Sequence, residues 1–79
     1  MGVLGPQKSI DEILGGRIRQ LRETSGLSLD VLAQAAKIPV SDYAMGEQGL
    51  RRFSAAETLA IARRLGVELA ELLSVLKSE

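Results

Sequence analysis

Apolar residues recur along this chain at helical spacing, and no stretch alternates with the period of two that a strand would need. Ile10, Ile13, Leu14, Ile18 and Leu21 fall on one stripe, which predicts a first helix opened by Ser9-Ile10-Asp11-Glu12. That tetrad is a capping box: the Ser hydroxyl accepts from the backbone three residues on, and the Glu carboxylate reaches back. Gly15 and Gly16 weaken this helix by roughly 1 kcal/mol each relative to Ala. Gly26 is placed to end it in the left-handed conformation. Ser28 then caps a second helix whose buried face is Leu32, Ala33 and Ala36, with Asp30 suiting the positive end of its dipole. Pro39 cannot lie inside a helix but starts one well, so a third helix is expected from Pro39 or Val40 to Glu47, stopped by Gln48-Gly49. Leu50 to Phe53 reads as a loop. A second capping box, Ser54-Ala55-Ala56-Glu57, opens a fourth helix carrying Leu59, Ile61, Ala62 and Leu65 and ending at Gly66. A fifth helix is expected from Val67 to Lys77.

Five short helices joined by short connections make an all-α fold. Composition agrees. Apolar residues are 46% of the 79, yet only one Tyr and one Phe are aromatic, so the core must be Leu, Ile, Val and Ala. The chain is long enough for one domain. Residues 1–8, with two Gly and a Pro and no periodicity, are expected to be a flexible tail, and residues 9–79 the domain. No apolar run approaches the roughly 20 residues of a membrane span. The first residues also lack the apolar stretch of a secretory leader.

The chain has neither Cys nor His. That removes thiol nucleophiles, imidazole bases and the usual zinc sites, and it accords with a cytoplasmic protein. No cofactor or metal is expected. Ser41 beside Asp42 has no base to complete a triad, so an enzyme is not expected. Asp11 and Glu12 serve a cap. Lys plus Arg balance Asp plus Glu at ten each, unlike the usual basic nucleic-acid binder. Most of the cations are Arg, however, and two pairs, Arg51-Arg52 and Arg63-Arg64, concentrate them. Arg suits bidentate phosphate or base contacts.

The residues Leu14-Gly15, Arg17-Ile18-Arg19, Leu21-Arg22, Gly26-Leu27-Ser28, Leu32-Ala33, Glu47-Gln48-Gly49, Leu65-Gly66-Val67 and Glu71-Leu72-Leu73 recur in an order that resembles the lambda-repressor-like helix-turn-helix family. This is the family of phage repressors, Cro-type proteins and many small bacterial regulators. The resemblance implies a compact five-helix domain with a central helix-turn-helix. It implies a dimeric transcriptional regulator or repressor whose third helix enters the major groove of double-stranded DNA. Carried over position by position, it makes Val40, Ser41 and Met45 the base-reading candidates, with Asp42 beside them. Ser28 and Leu29 at the start of the second helix, and Arg51 and Arg52 after the third, are the phosphate candidates. It implies an ion pair between Arg22 and Glu47 that pins the recognition helix. The apolar face of the last helix, Leu69, Leu73, Val75 and Leu76, is the candidate homodimer surface. The alternative is a protein partner: an interaction module on the same fold, a cofactor or antagonist of another regulator. The apolar third helix and the neutral net charge favour that alternative.

Three positions depart from the family pattern. Lys37 occupies the turn position that normally holds a left-handed Gly, at a cost on the order of 1 kcal/mol. Gly46 replaces a large apolar residue, and Tyr43, one turn earlier, is expected to fill the volume it leaves. Leu29 replaces a common Gln, losing a donor to phosphate.

Overall fold

Caps decide where each helix begins. In the computed structural model, which describes residues 8–76, the Ser9 hydroxyl accepts from the Glu12 N–H at 3.1 Å and the Glu12 carboxylate accepts from the Ser9 N–H at 2.8 Å. Ser54 and Glu57 repeat the arrangement at 3.1 and 2.9 Å. These boxes open α1 (Ile10–Ser25) and α4 (Ala55–Leu65). Ser28 opens α2 (Leu29–Ala36), its side chain accepting from the Val31 N–H. Pro39 precedes α3 (Val40–Glu47), outside the helix by its extended backbone. The chain closes with α5 (Leu69–Leu73) and a 3-10 turn (Ser74–Leu76). The expected N-terminal tail lies outside the described residues except for Lys8.

Gly26 and Gly66 end α1 and α4 in the left-handed conformation. Lys37 does the same for α2, with φ at 62°. The strain is held by two bonds that finish the turn: Lys37 N–H to the Gln34 carbonyl and Ile38 N–H to the Ala33 carbonyl, both at 3.1 Å.

Ile18, Leu32, Tyr43, Ile61 and Leu72 are completely buried and join α1 through α5 in one core. The last helix is shorter than the expected Val67 to Lys77. It starts at Leu69, and after Leu73 it tightens into the 3-10 turn, where the Ser74 hydroxyl donates to the Glu71 carbonyl at 2.8 Å. A side chain bonding back to the helix in this way competes with the regular ladder. Lys77 lies outside the described residues. The apolar face of this segment is largely spent within the chain: Leu69 packs on the core, Leu73 and Leu76 are half-buried, and Val75 remains 37% exposed.

Two glycines set how α3 sits. A methyl group on Gly15 would overlap the carbonyl oxygens of Gly46 and Glu47, so α1 and α3 touch backbone to backbone there. A methyl group on Gly46 would overlap the ring of Phe53. The volume that Gly46 gives up is therefore filled by Phe53, not by Tyr43 as the spacing suggested. Phe53 comes from the segment expected to be a plain loop and is 93% buried, at 7% exposure. Tyr43 packs against it, ring centroids 5.6 Å apart at 41°.

The ring of Tyr43 is occupied elsewhere because its hydroxyl has a partner. It donates to Glu47 Oε2 at 2.5 Å. The same carboxylate receives Arg22 Nε at 2.7 Å and Arg22 Nη2 at 3.1 Å. Arg22 Nη1 donates to the Leu27 carbonyl at 3.1 Å. The side chains of Arg22 and Glu47 are 13% and 5% exposed, so the pair is screened little by water. One buried carboxylate thus ties α1, the entry to α2, and α3 together.

Substituting each of the neighbouring glycines of α1 by Ala has opposite expected effects. Gly15→Ala forces α1 and α3 apart and destabilises by about 1–3 kcal/mol. Gly16→Ala meets only open space and stabilises by roughly 0.5–1 kcal/mol through helix propensity. Urea unfolding curves of the two variants check both signs.

The Tyr43 phenol is pushed well above its usual pKa by burial first and by the Glu47 carboxylate second. The sign follows. A raised folded-state pKa contributes stability that is present below the unfolded value near 10 and is lost as pH rises beyond it. Tyr43 is the single Tyr of the chain, so its ultraviolet tyrosinate band reports this group alone. The band is expected to appear only together with loss of helix above about pH 10, and Tyr43→Phe is expected to flatten the alkaline fall in stability.

Candidate nucleic-acid interface

A helix advances 100° per residue, so α3 divides cleanly into two sides. Tyr43, Gly46 and Glu47 are buried against α1 and the core. Val40, Ser41, Ala44, Met45 and Gln48 fall on the remaining arc, with Val40 at its edge beside Glu47. Val40 and Met45 are 41% and 39% exposed, Ser41 and Gln48 are exposed, and Ala44 is half-buried. The three base-reading candidates therefore share one outward face. Gln48, which the sequence marks only as a stop signal, joins them and brings the single carboxamide of that face. Its spacing of four from Ala44 and three from Met45 is the signal that would have placed it there.

Asp42 belongs to neither side. It is half-buried on the flank of α3, where its charge acts on the Arg51 guanidinium. α3 has no side-chain cap: the first closing bond runs from the Tyr43 N–H to the Pro39 carbonyl. The N–H groups of its first turn precede that bond and give this end of the helix partial positive charge.

A groove of about 230 Å³ separates α3 from the start of α2 and the end of α1. Arg19, Arg22, Leu29, Ala44, Glu47 and Gln48 line it. Ser28 stands exposed at the head of α2, with its oxygen accepting from Val31 and its hydroxyl hydrogen free to donate. Leu29 is half-buried and packs against the core, so its side chain supports the groove wall from behind. Arg19 is paired with Glu23 at 3.1 Å on the exposed side of α1.

The two arginines after α3 differ sharply. Arg51 grips Glu57 with both ends of its fork, at 2.9 and 3.2 Å, and donates to the Arg52 carbonyl at 3.2 Å. Its guanidinium lies 5.9 Å from the centre of the Phe53 ring. The Arg51 bond, followed by the Ser54 N–H, holds the Glu57 carboxyl below the usual carboxylate range. Arg51 is therefore a brace that fixes the loop to the start of α4. Arg52 has one bond, Nε to Asp11 Oδ1 at 3.0 Å, and its side chain is 75% exposed. Arg63 and Arg64 are exposed at the end of α4, away from this face by sequence and by element. Among the described residues no group of three His, Cys, Asp or Glu is placed to hold a metal ion, and no helix is long and apolar enough to cross a membrane.

Comparison with known proteins accords with this geometry. Two solved structures of the clp gene regulator ClgR from Corynebacterium glutamicum are similar to this chain. One is 25% identical with a TM-score of 0.80, covering 87% of this chain and 90% of its own. The other is 26% identical with a TM-score of 0.83, covering 89% of this chain and 74% of its own. No curated protein matches. A family model described as a helix-turn-helix domain matches residues 13–75, which spans α2, the Lys37 turn and α3 with all their supports. The chain belongs to the helix-turn-helix domain family.

Proposed function

We propose that this chain, a DNA-binding transcription regulator of helix-turn-helix type and not an enzyme, binds duplex DNA as a dimer with α3 of each subunit in a major groove. The observation that carries the reading is the outward arc of α3, uncapped at its N-terminus and backed by the Arg22–Glu47–Tyr43 network. A short helix can present side chains to base edges only if its own position is fixed, and that network fixes it. The positive ends of α2 and α3 and the exposed Arg52 flank the arc and suit phosphates. Ser28 donates its hydroxyl hydrogen to the same backbone. The solved relatives are named as gene regulators, and regulation of transcription is the role assigned to this chain. A cytoplasmic location follows from that role.

In a two-fold dimer the recognition helices would stand about one turn of DNA apart, roughly 34 Å. Val75, with the exposed parts of Leu73 and Leu76, is the apolar surface proposed for the subunit contact. Leu69 packs inward and contributes little to it.

A second reading has one observation in its favour. The outward arc carries no charge, and Arg51 is neutralised within the chain, which also suits a protein partner. Replacing Val40, Ser41 and Met45 would abolish such a contact, and Arg51→Ala with Arg52→Ala would leave it intact.

Fluorescence anisotropy with a labelled duplex across a salt series tests the DNA reading. Binding is expected to weaken linearly in log salt. Arg52→Ala is expected to weaken it on every sequence and to reduce the slope by about 0.9, the value for one phosphate contact. Arg51→Ala is expected to lower the urea midpoint, because it unlocks the loop from α4. Absence of binding to any duplex at low salt overturns the proposal.

A further inference from the structure

The groups that normally read a G·C pair are withdrawn from the outward face of α3. Guanine presents two acceptors in the major groove and is met by Arg or Lys, while cytosine presents a donor and is met by a carboxylate. Val40, Ser41, Ala44, Met45 and Gln48 include neither type. Of the cations near the arc, Arg22 is closed on Glu47 and Arg51 on Glu57, while Arg19 stands on α1 in an exposed pair with Glu23. Of the carboxylates, Glu47 is held in the buried network and Asp42 is half-buried on the flank of α3.

What remains on the arc suits the other base pair. Val40 and Met45 offer aliphatic and thioether surface at 41% and 39% exposure, which matches the C5 methyl of thymine. Gln48 offers one donor and one acceptor side by side, the pattern that adenine accepts in bidentate fashion. Val40 and Met45 are five residues apart, about 7.5 Å along the helix axis. Base pairs follow one another at ~3.4 Å, so the two side chains reach about two successive steps.

We propose that the outward face of α3 reads A·T pairs, with thymine methyl groups against Val40 and Met45 and adenine against Gln48. This rests on the reading of α3 as the helix that enters the major groove. Val40 and Met45 are then the residues that determine specificity, and hydrophobic contact with a methyl is what they recognise.

The test has two arms. The first selects binding sequences from a randomised duplex library at low salt with the full chain. The second replaces each thymine of the selected site by uracil, which removes the methyl and leaves base pairing unchanged. Two A·T pairs about two steps apart in each half-site are expected. Uracil is expected to weaken binding about fourfold per buried methyl. Val40→Ala is expected to produce the same loss on the thymine duplex and none on the uracil duplex, with Val40→Ile restoring thymine preference. Val40 is exposed at the first turn of α3, so these variants keep the fold. A selected site with G·C pairs where Val40→Ala acts overturns the inference and leaves DNA recognition by α3 standing. So does indifference to uracil, or an equal Val40→Ala loss on both duplexes. Failure to enrich or bind any duplex overturns both.

Discussion

The buried carboxylate of Glu47 is the constraint on which the placement of α3 depends. A charge taken out of water is costly, and it is tolerated here because it receives three hydrogen bonds, two from Arg22 and one from Tyr43. Those donors come from α1 and from one turn earlier in α3 itself. The third arm of Arg22 reaches the Leu27 carbonyl, just ahead of α2. The network therefore sets orientation more than it adds stability. The fixed directions of its hydrogen bonds hold the rotation of α3 about its axis. That rotation decides which five residues face outward.

The rest of the packing around α3 is built from close approach. Eight residues bury too little surface to hold a helix in place alone, and only Tyr43, Gly46 and Glu47 of α3 are buried. Gly15 lets the α1 backbone touch the carbonyls at the end of α3, and Gly46 admits the Phe53 ring on the next side. Phe53 in turn lies under Arg51, whose fork is closed on Glu57 of the second capping box. The chain of contacts runs from the end of α3 through one aromatic ring into the cap of α4. Four of the arginines are paired with carboxylates of the chain itself, so part of the balanced charge is spent on holding the fold.

Much of this was legible in local sequence, and the exceptions share a cause. The capping boxes at Ser9 and Ser54, the Ser28 cap, the left-handed ends at Gly26 and Gly66 and the apolar stripe from Ile10 to Leu21 all depend on residues within a few positions of one another. The filling of Gly46 depends on Phe53, which returns from beyond a turn, so spacing along α3 pointed to Tyr43 instead. Arg51 looked equal to Arg52 because both are arginines in one loop. What separates them is Glu57, whose role as a capping residue concealed its second role as an ion-pair partner. Asp42 sits among candidate base readers in sequence, and helical spacing alone puts it on the flank, between buried Gly46 and exposed Met45. The last helix was read too long because apolar spacing continues through Leu76 while the backbone, bonded by Ser74, has already tightened.

A recognition face without charge separates affinity from discrimination. In the proposed complex, phosphate contacts from helix ends and one exposed arginine bind all sequences nearly alike. Discrimination then rests on the Gln48 carboxamide and two apolar contacts, the apolar ones each worth about fourfold. Two such contacts give one half-site only about 16-fold preference, and two half-sites read together about 250-fold. The apolar contacts of a single copy would thus discriminate only weakly among sequences. In the proposed dimer, two-fold pairing multiplies the preference without any new chemistry on α3, which is a physical reason for a face this plain to act in pairs.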